Sequence, residues 1–183
     1  MDLLQGTEPF TNHGSVTGLT IRDYWSFQFS NVLHVPEEVA EFLVAKALGK
    51  DKPENKHQWT LFDMMYEGKR IEVKETSFYH SWSKPGVTSR RNSFGITMAY
   101  GEDGVYERQN DLYVFCLLKG DDEESAWPLK VENWEFYVVP TSTINKRFAN
   151  QKTVSLSRIQ KLVDPVSWED LKSTVDEVVA GLS

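Results

Sequence analysis

The chain has 183 residues, a formal net charge of −7, and 40% hydrophobic and 13% aromatic residues. This length predicts a single domain over residues 1–183, and the aromatic content excludes a disordered chain. The acidic balance argues against a protein that coats nucleic acid through bulk charge, although it leaves room for one local basic groove. Cys116 is the only cysteine, which excludes an internal disulfide and a cysteine-based zinc site.

The start of the chain has neither the basic residues nor the apolar run of a secretory signal. The most apolar stretch, residues 39–48, is far shorter than a membrane span requires. We therefore expect a soluble, cytoplasmic protein that has no membrane partner.

The first half of the chain offers one clear helix. Residues 1–20 are rich in Gly and Thr with little periodicity, and they predict an irregular leader. Residues 20–33 mix aromatic and polar side chains, so helix and strand both stay open. Pro36 favours the first turn of a helix, and the two acids after it favour the positive end of the helix dipole. Gly49 is typical of a residue that ends a helix, so we predict a helix from Pro36 to Leu48.

The rest of the chain predicts a mixed sheet with helices. Two strands, at residues 59–66 and 69–77, flank the two-residue turn signal Glu67-Gly68. Further predicted elements are strands at residues 94–99, 112–118 and 134–139, and helices at residues 154–162 and 168–182. This order predicts an α/β or α+β fold with a mixed central β-sheet flanked by helices.

The predicted hairpin carries the residues best suited to chemistry. A two-residue turn at Glu67-Gly68 places Asp63 directly opposite Glu72, and alternation puts Lys74 on the same face as Glu72. Two opposed carboxylates repel each other, and Mg²⁺ or Mn²⁺ would relieve that repulsion. Lys74 is a point charge suited to a scissile phosphate or to positioning an attacking water.

Glu41 is a further acid in the predicted helix. The helix is apolar almost all round between residues 39 and 48, which is typical of a buried helix. A carboxylate there needs a partner, because acids are seldom buried unpaired. Two interpretations stay open: Glu41 is a metal ligand, or it pairs with a nearby arginine or lysine.

The run of Asp63, eight residues, and then Glu72-Val73-Lys74 resembles the signature of the PD-(D/E)xK, or restriction-endonuclease-like, nucleases. An acid in a preceding helix, here Glu41, also resembles that family. The resemblance implies a restriction-endonuclease-like fold with Asp63, Glu72 and Lys74 as the catalytic residues. It further implies a Mg²⁺ or Mn²⁺ ion that is bound by Asp63, Glu72 and the Val73 carbonyl, with Glu41 nearby, while Lys74 assists the nucleophile.

Two longer segments extend the resemblance. Residues 77–82, Ser-Phe-Tyr-His-Ser-Trp, and residues 134–141, Trp-Glu-Phe-Tyr-Val-Val-Pro-Thr, resemble uncharacterised bacterial members of the same superfamily. The family core usually has a helix between its third and fourth strands. Residues 119–133, with four consecutive acids and Pro128, do not predict one.

A basic segment lies beyond the hairpin. Lys84, Arg90 and Arg91 are suited to gripping the phosphates of a nucleic acid; a solvated basic loop is the other interpretation. The choice between DNA and RNA stays open, with DNA favoured as the partner. If the substrate is nucleic acid, we expect Lys69 and Lys74 to gather with them around the acids.

The leading hypothesis is a metal-dependent nuclease that hydrolyses phosphodiester bonds of nucleic acid in defence or repair. The alternative is a nuclease-fold binding module that works without turnover in a larger nucleic-acid complex. A structural protein with a charged hairpin is a third hypothesis, and it leaves Glu41 and the opposed acids unexplained. Cleavage of both strands by one site per chain would favour a homodimer.

Overall fold

The computed structural model describes residues 4–29, 36–50, 61–79 and 92–182. Its strands are β1 (Pro9–Asn12), β2 (Ser15–Thr20), β3 (Met64–Tyr66), β4 (Lys69–Ser77), β5 (Ser93–Gly95), β6 (Ala99–Tyr100), β7 (Tyr106–Glu107), β8 (Leu112–Leu118), β9 (Trp134–Pro140) and β10 (Thr153–Ser155). Its helices are α1 (Ile21–Gln28), α2 (Pro36–Ala47), α3 (Thr141–Phe148), α4 (Leu156–Ile159) and α5 (Trp168–Ala180), with a 3₁₀ turn at Val131–Asn133.

The central sheet has the strand order β3-β4-β8-β9. β4 runs antiparallel to β3 and parallel to β8, and β9 runs antiparallel to β8. The predicted mixed sheet with flanking helices is therefore confirmed at the level of an α+β fold. The predicted bounds of β4 and β8 are also confirmed. An unbroken apolar run such as β8 is typical of a strand that is buried on both faces.

Each face of the sheet packs against its own set of helices. All seven residues of β8 are buried, and their side chains alternate between the two faces. On one face, Ile71 and Val73 join a cluster with residues of α2 and α5. On the other face, Tyr113 and Phe115 join a cluster with residues of β5, α3 and α4. These two faces are called the α2 face and the β5 face below.

α2 begins at Pro36 as predicted and ends at Ala47, one residue before the predicted end. Gly49 follows it with φ +73°, a conformation that glycine adopts without strain, so the predicted stop is confirmed. The prediction that the helix is buried all round is wrong, because Phe42 is 58% exposed. α2 buries one face against the sheet, and the indole N–H of Trp168 in α5 donates to the Leu43 carbonyl at 2.8 Å.

The predicted irregular leader at residues 1–20 is wrong over most of its length. β1 and β2 form a hairpin across His13 and Gly14, whose φ values of 47° and 82° suit a two-residue turn. Every residue of β1 and most of β2 is exposed, so the hairpin has no hydrophobic alternation that sequence reasoning could detect. α1 then settles the open choice for the next segment, because Thr20 and Asp23 form a capping box at its start.

The C-terminal third also departs from prediction. The predicted helix at residues 154–162 is a short strand, β10, followed by the single turn of α4. β10 pairs with β5, a partner distant in the sequence, which overrides the local helical pattern. α3 was not predicted, whereas α5 lies where a helix was expected. As expected, residues 119–133 contain no α-helix, and no helix in the described ranges is long and apolar enough to cross a membrane.

Arg108 anchors the layer beneath the β5 face. It is only 4% exposed, and its guanidinium donates to the Ile96 carbonyl, the Asn145 amide oxygen and three carbonyls at the end of α3 and just after it. These five acceptors are uncharged. The guanidinium therefore takes the place of water as the hydrogen-bond donor to several buried carbonyls. Without it, each of these carbonyls would lose a hydrogen bond.

We predict that Arg108→Met destabilises the fold by about 3 kcal/mol, because it removes the common donor of several buried acceptors. The free energy of unfolding in urea measures the effect. Arg147→Met, at an exposed position of α3, is the matched control and is expected to change that free energy by less than about 1 kcal/mol. Equal effects of the two substitutions would contradict the structural role of Arg108.

Candidate functional site

The turn between β3 and β4 sets the geometry of the site. Glu67 and Gly68 have φ values of 47° and 75°, as the two central residues of a type I′ hairpin turn require. Tyr66 pairs with Lys69, and Met64 pairs with Ile71. The register predicted from the sequence is therefore confirmed for residues 64–71, whereas the predicted position of Asp63 opposite Glu72 lies beyond the paired residues.

Asp63 lies at the point where β3 begins. Its backbone N–H donates to the Ile71 carbonyl at 2.9 Å, and its carboxylate Oδ2 accepts from the Val73 N–H at 2.7 Å. It belongs to a bend rather than to the longer strand predicted for residues 59–66. Because the N–H and C=O of one strand residue point to the same edge, the Val73 carbonyl points to the edge that holds the Asp63 carboxylate.

Glu72 and Lys74 form an ion pair on the neighbouring stretch of β4. Lys74 Nζ lies 2.7 Å from Glu72 Oε1, and the side chains are 26% and 18% exposed, respectively. Both residues lie on the β5 face, where Glu72 is the register partner of Tyr113. A second carboxylate, Glu37 Oε1 of α2, lies 4.0 Å from Lys74 Nζ. Since α2 packs on the opposite face, this contact forms past the edge of β4, beyond its pairing with β3.

Negative charge is in excess around this ion pair. Burial raises the pKa of Glu72, and the charges of Asp63 and Glu41 raise it further, against the attraction of Lys74. Burial lowers the pKa of Lys74, but the charges of Glu72, Asp63 and Glu37 outweigh that effect and raise it. Three carboxylates thus act on one ammonium group, and Lys74 stays protonated at neutral pH.

The oxygen atoms at this edge fit a hard divalent cation. Asp63 and Glu72 supply carboxylates and Val73 supplies a carbonyl, which is the oxygen-only donor set that Mg²⁺ and Mn²⁺ prefer. Mg²⁺ commonly takes only one or two protein carboxylates and keeps several waters. Within the described parts of the chain, no group of three or more His, Cys, Asp or Glu side chains is arranged to hold a metal. Glu41 is half-buried and acts on Glu72 through its charge, so its role as a metal ligand stays a prediction.

The structure describes only some of the basic residues that were expected to gather around the acids. Lys84, Arg90 and Arg91 lie outside the described residues. Lys69 was expected near the acids, but its Nζ donates to the Leu182 carbonyl at 3.1 Å, just after α5. Its position in the turn explains this, because Lys69 is the register partner of Tyr66, whose hydroxyl donates to Asp176 of α5.

Sequence reasoning missed Glu75. This residue follows Ile71 and Val73 on the α2 face and pairs in register with the buried Cys116. Its Oε1 is buried and has no hydrogen-bond partner within the described parts of the chain. Burial, reinforced by the charges of Glu37 and Glu38, raises its pKa to about 8. The available signal was the alternation itself, which puts an acid at the third position of a buried face.

No protein-family model matches the chain, and a search of curated proteins finds no match. We therefore infer the function from the geometry of the described residues.

Glu75 predicts an unusual dependence of stability on pH. Its pKa rises from about 4.5 in the unfolded chain to about 8 in the folded one, so the folded state binds the extra proton between those values. The stabilisation from this proton is complete below pH 4.5 and is lost as the pH rises through 8. We therefore expect the free energy of unfolding of Glu75→Gln, relative to that of the wild type, to increase by on the order of 4 kcal/mol between pH 4.5 and pH 8.

Urea unfolding of both proteins at pH 5 and pH 8 measures this gain. Glu67→Gln, in the exposed hairpin turn, is the matched control and should show the same difference from wild type at both pH values. A difference between Glu75→Gln and wild type that does not change with pH would contradict the raised pKa.

Proposed function

We propose that this chain is a metal-dependent nuclease with a restriction-endonuclease-like fold that hydrolyses phosphodiester bonds of nucleic acid, DNA rather than RNA. The observation that carries the proposal is the juxtaposition at one edge of β4. The Asp63 carboxylate accepts a hydrogen bond from the Val73 N–H at 2.7 Å. On either side of Val73 along β4, Glu72 and Lys74 form an ion pair at 2.7 Å. Oxygen ligands and a fixed cation on adjacent residues suit the binding and cleavage of a phosphate ester.

Each residue has a distinct role in this proposal. Asp63 is oriented by the Val73 N–H and presents its carboxylate toward the edge of the strand. Glu72 supplies a carboxylate for the cation: burial raises its pKa, and the positive charge of a bound cation would offset that rise. Lys74 stays protonated, so it stabilises the negative charge that develops on the phosphate oxygens instead of acting as a base.

Asp63, Glu72 and the Val73 carbonyl would hold the cation. When bound, Mg²⁺ or Mn²⁺ supplies a water of lowered pKa and a positive charge beside the phosphate. The excess of carboxylates over ammonium groups around Lys74 gives such a cation an electrostatic reason to bind. In the overall reaction the water oxygen bonds to phosphorus, the bond from phosphorus to one sugar oxygen breaks, and that oxygen receives a proton.

A binding module without turnover is the competing proposal, and one observation favours it. The Glu72 carboxylate already has a counter-ion, Lys74, at 2.7 Å. Because the Lys74 ammonium balances the charge of the Glu72 carboxylate, this carboxylate has less need of a metal cation. This module would bind nucleic acid through the same surface in a larger complex and would leave the phosphodiester bond intact.

Cleavage of labelled DNA and RNA oligonucleotides in Mg²⁺ or Mn²⁺ distinguishes the two proposals. We expect the wild type to cleave DNA and Asp63→Asn to be inactive, because an amide binds a hard cation poorly. Asp63→Asn should keep the wild-type free energy of unfolding to within about 1 kcal/mol, since the amide oxygen can still accept from the Val73 N–H. An unfolded Asp63→Asn protein, or a wild type that cleaves neither substrate, would contradict the nuclease.

Lys74→Met tests the electrostatic role separately. Removal of one charged donor from the transition state should lower kcat by roughly 10²-fold or more. Lys161→Met, at an exposed position after α4, is the matched control and should leave kcat unchanged. An unaltered kcat for Lys74→Met would show that Lys74 only neutralises Glu72.

The role of the basic segment is tested by salt. If Arg90 and Arg91 contact phosphates, replacing both with Ala should reduce the slope of log affinity against log salt by about 2 for duplex DNA. Fluorescence anisotropy of a labelled duplex at several salt concentrations measures that slope. An unchanged slope would assign this segment to ordinary solvated surface.

A further inference from the structure

A cavity with both apolar and polar walls lies on the β5 face, beyond the end of β4. Its volume is about 590 Å³, within the range typical of small-molecule sites. Its walls include an aromatic ring, two side-chain amides and three hydroxyls, from Phe78, Asn92, Gln160, Ser93, Ser155 and Ser157. None of the described residues that line it is charged, and their amides and hydroxyls suit a ligand with hydrogen-bonding edges.

Asn92 is the unusual group in this wall. The residue is 5% exposed, and its amide nitrogen Nδ2 is buried and has no hydrogen-bond partner among the residues that the structure describes. Its backbone carbonyl accepts from the Leu156 N–H at 2.9 Å, so the backbone is fixed at the start of α4. A buried donor that makes no hydrogen bond is costly to the fold. The terminal torsion of Asn92 is a soft one, so Nδ2 can change direction without movement of the backbone.

The cavity and the Glu72–Lys74 ion pair lie on the same face of the sheet. Phe78 packs against the cluster that contains Tyr113, and Tyr113 is the register partner of Glu72. Phe78 follows Lys74 by four residues along β4, which corresponds to roughly 13 Å at ~3.3 Å per residue. A nucleic-acid strand with a phosphate at Lys74 can therefore place a nearby base at the cavity.

We propose that this cavity binds one unstacked nucleobase of the strand whose phosphate lies at Lys74. This inference rests on the proposed nuclease function and deepens it by naming the part of the substrate that the protein reads. The ring of Phe78 contacts the base, as aromatic side chains do with single-stranded or extruded bases. Asn92 Nδ2 donates to a ring nitrogen or carbonyl of the base, and the Ser93 hydroxyl lies in the same wall. Gln160 Nε2 already donates to the Tyr137 hydroxyl at 3.1 Å, and the Ser155 and Ser157 hydroxyls bond to each other at 3.2 Å.

The first test uses uncharged ligands and needs no catalytic activity. Adenosine, guanosine, cytidine and thymidine are titrated separately into isotopically labelled protein, and the side-chain amide NMR signals of Asn92 are followed. We expect at least one nucleoside to shift these signals, whereas ribose and inorganic phosphate leave them in place. An absence of any nucleoside shift, or equal shifts with ribose, would overturn the base pocket.

The second test uses variants and a cleavable oligonucleotide. Asn92→Leu keeps the approximate size of the side chain and removes the unpaired donor, so we expect a folded protein whose KM rises about tenfold with little change in kcat. Asn150→Leu, at an exposed position after α3, is the matched control with unchanged KM. If Asn92→Leu fails to fold, Phe78→Leu replaces it, because leucine keeps an apolar side chain against the neighbouring cluster.

These results separate failure of the pocket from failure of the nuclease. A protein that binds nucleosides at Asn92 but cleaves no substrate retains the base pocket and loses the proposed reaction. A protein that cleaves DNA with the same KM after Asn92→Leu, and shows no nucleoside shift, retains the reaction and loses the pocket.

Discussion

The two-residue turn at Glu67 and Gly68 is the constraint on which the candidate site depends. Both residues adopt positive φ, which fixes the register of β3 on β4. A slip of one residue would turn every side chain of β4 to the opposite face and would bury Glu72 and Lys74 among the apolar side chains beneath α2. The same register brings Asp63 to the Val73 N–H, so one turn positions both carboxylates and the lysine.

The sheet keeps these charges partly out of water without burying them completely. β4 is covered by β8 along one edge, whereas its pairing with β3 stops at Ile71, and Glu72 and Lys74 lie just past that point. Partial burial makes the charges interact more strongly than they would on an open surface, which is why their pKa values shift. The same crowding favours any ligand that brings positive charge to the edge of the strand.

The sequence was most informative where local rules agree with tertiary packing. The apolar run of β8, the turn at Glu67 and Gly68, and the proline-to-glycine limits of α2 each have a local physical cause, so they could be predicted. The β1–β2 hairpin and β10 could not, because the first shows no buried face and the second depends on β5, a distant partner. Arg108 and the Asn92 cavity could not be predicted for the same reason, since their environments come from segments far apart in the chain. Glu75 differs, because the alternation along β4 places it on the buried face.

The central claim is that Asp63 and Glu72 together bind a divalent cation at the edge of β4. Calorimetric titration of the protein with Mn²⁺ near neutral pH tests it most directly, with Asp63→Asn and Glu72→Gln titrated under the same conditions. We expect one saturable Mn²⁺ site in the wild type and none in either variant, while all three proteins remain folded. No binding by the wild type, or equal binding by all three, would contradict it.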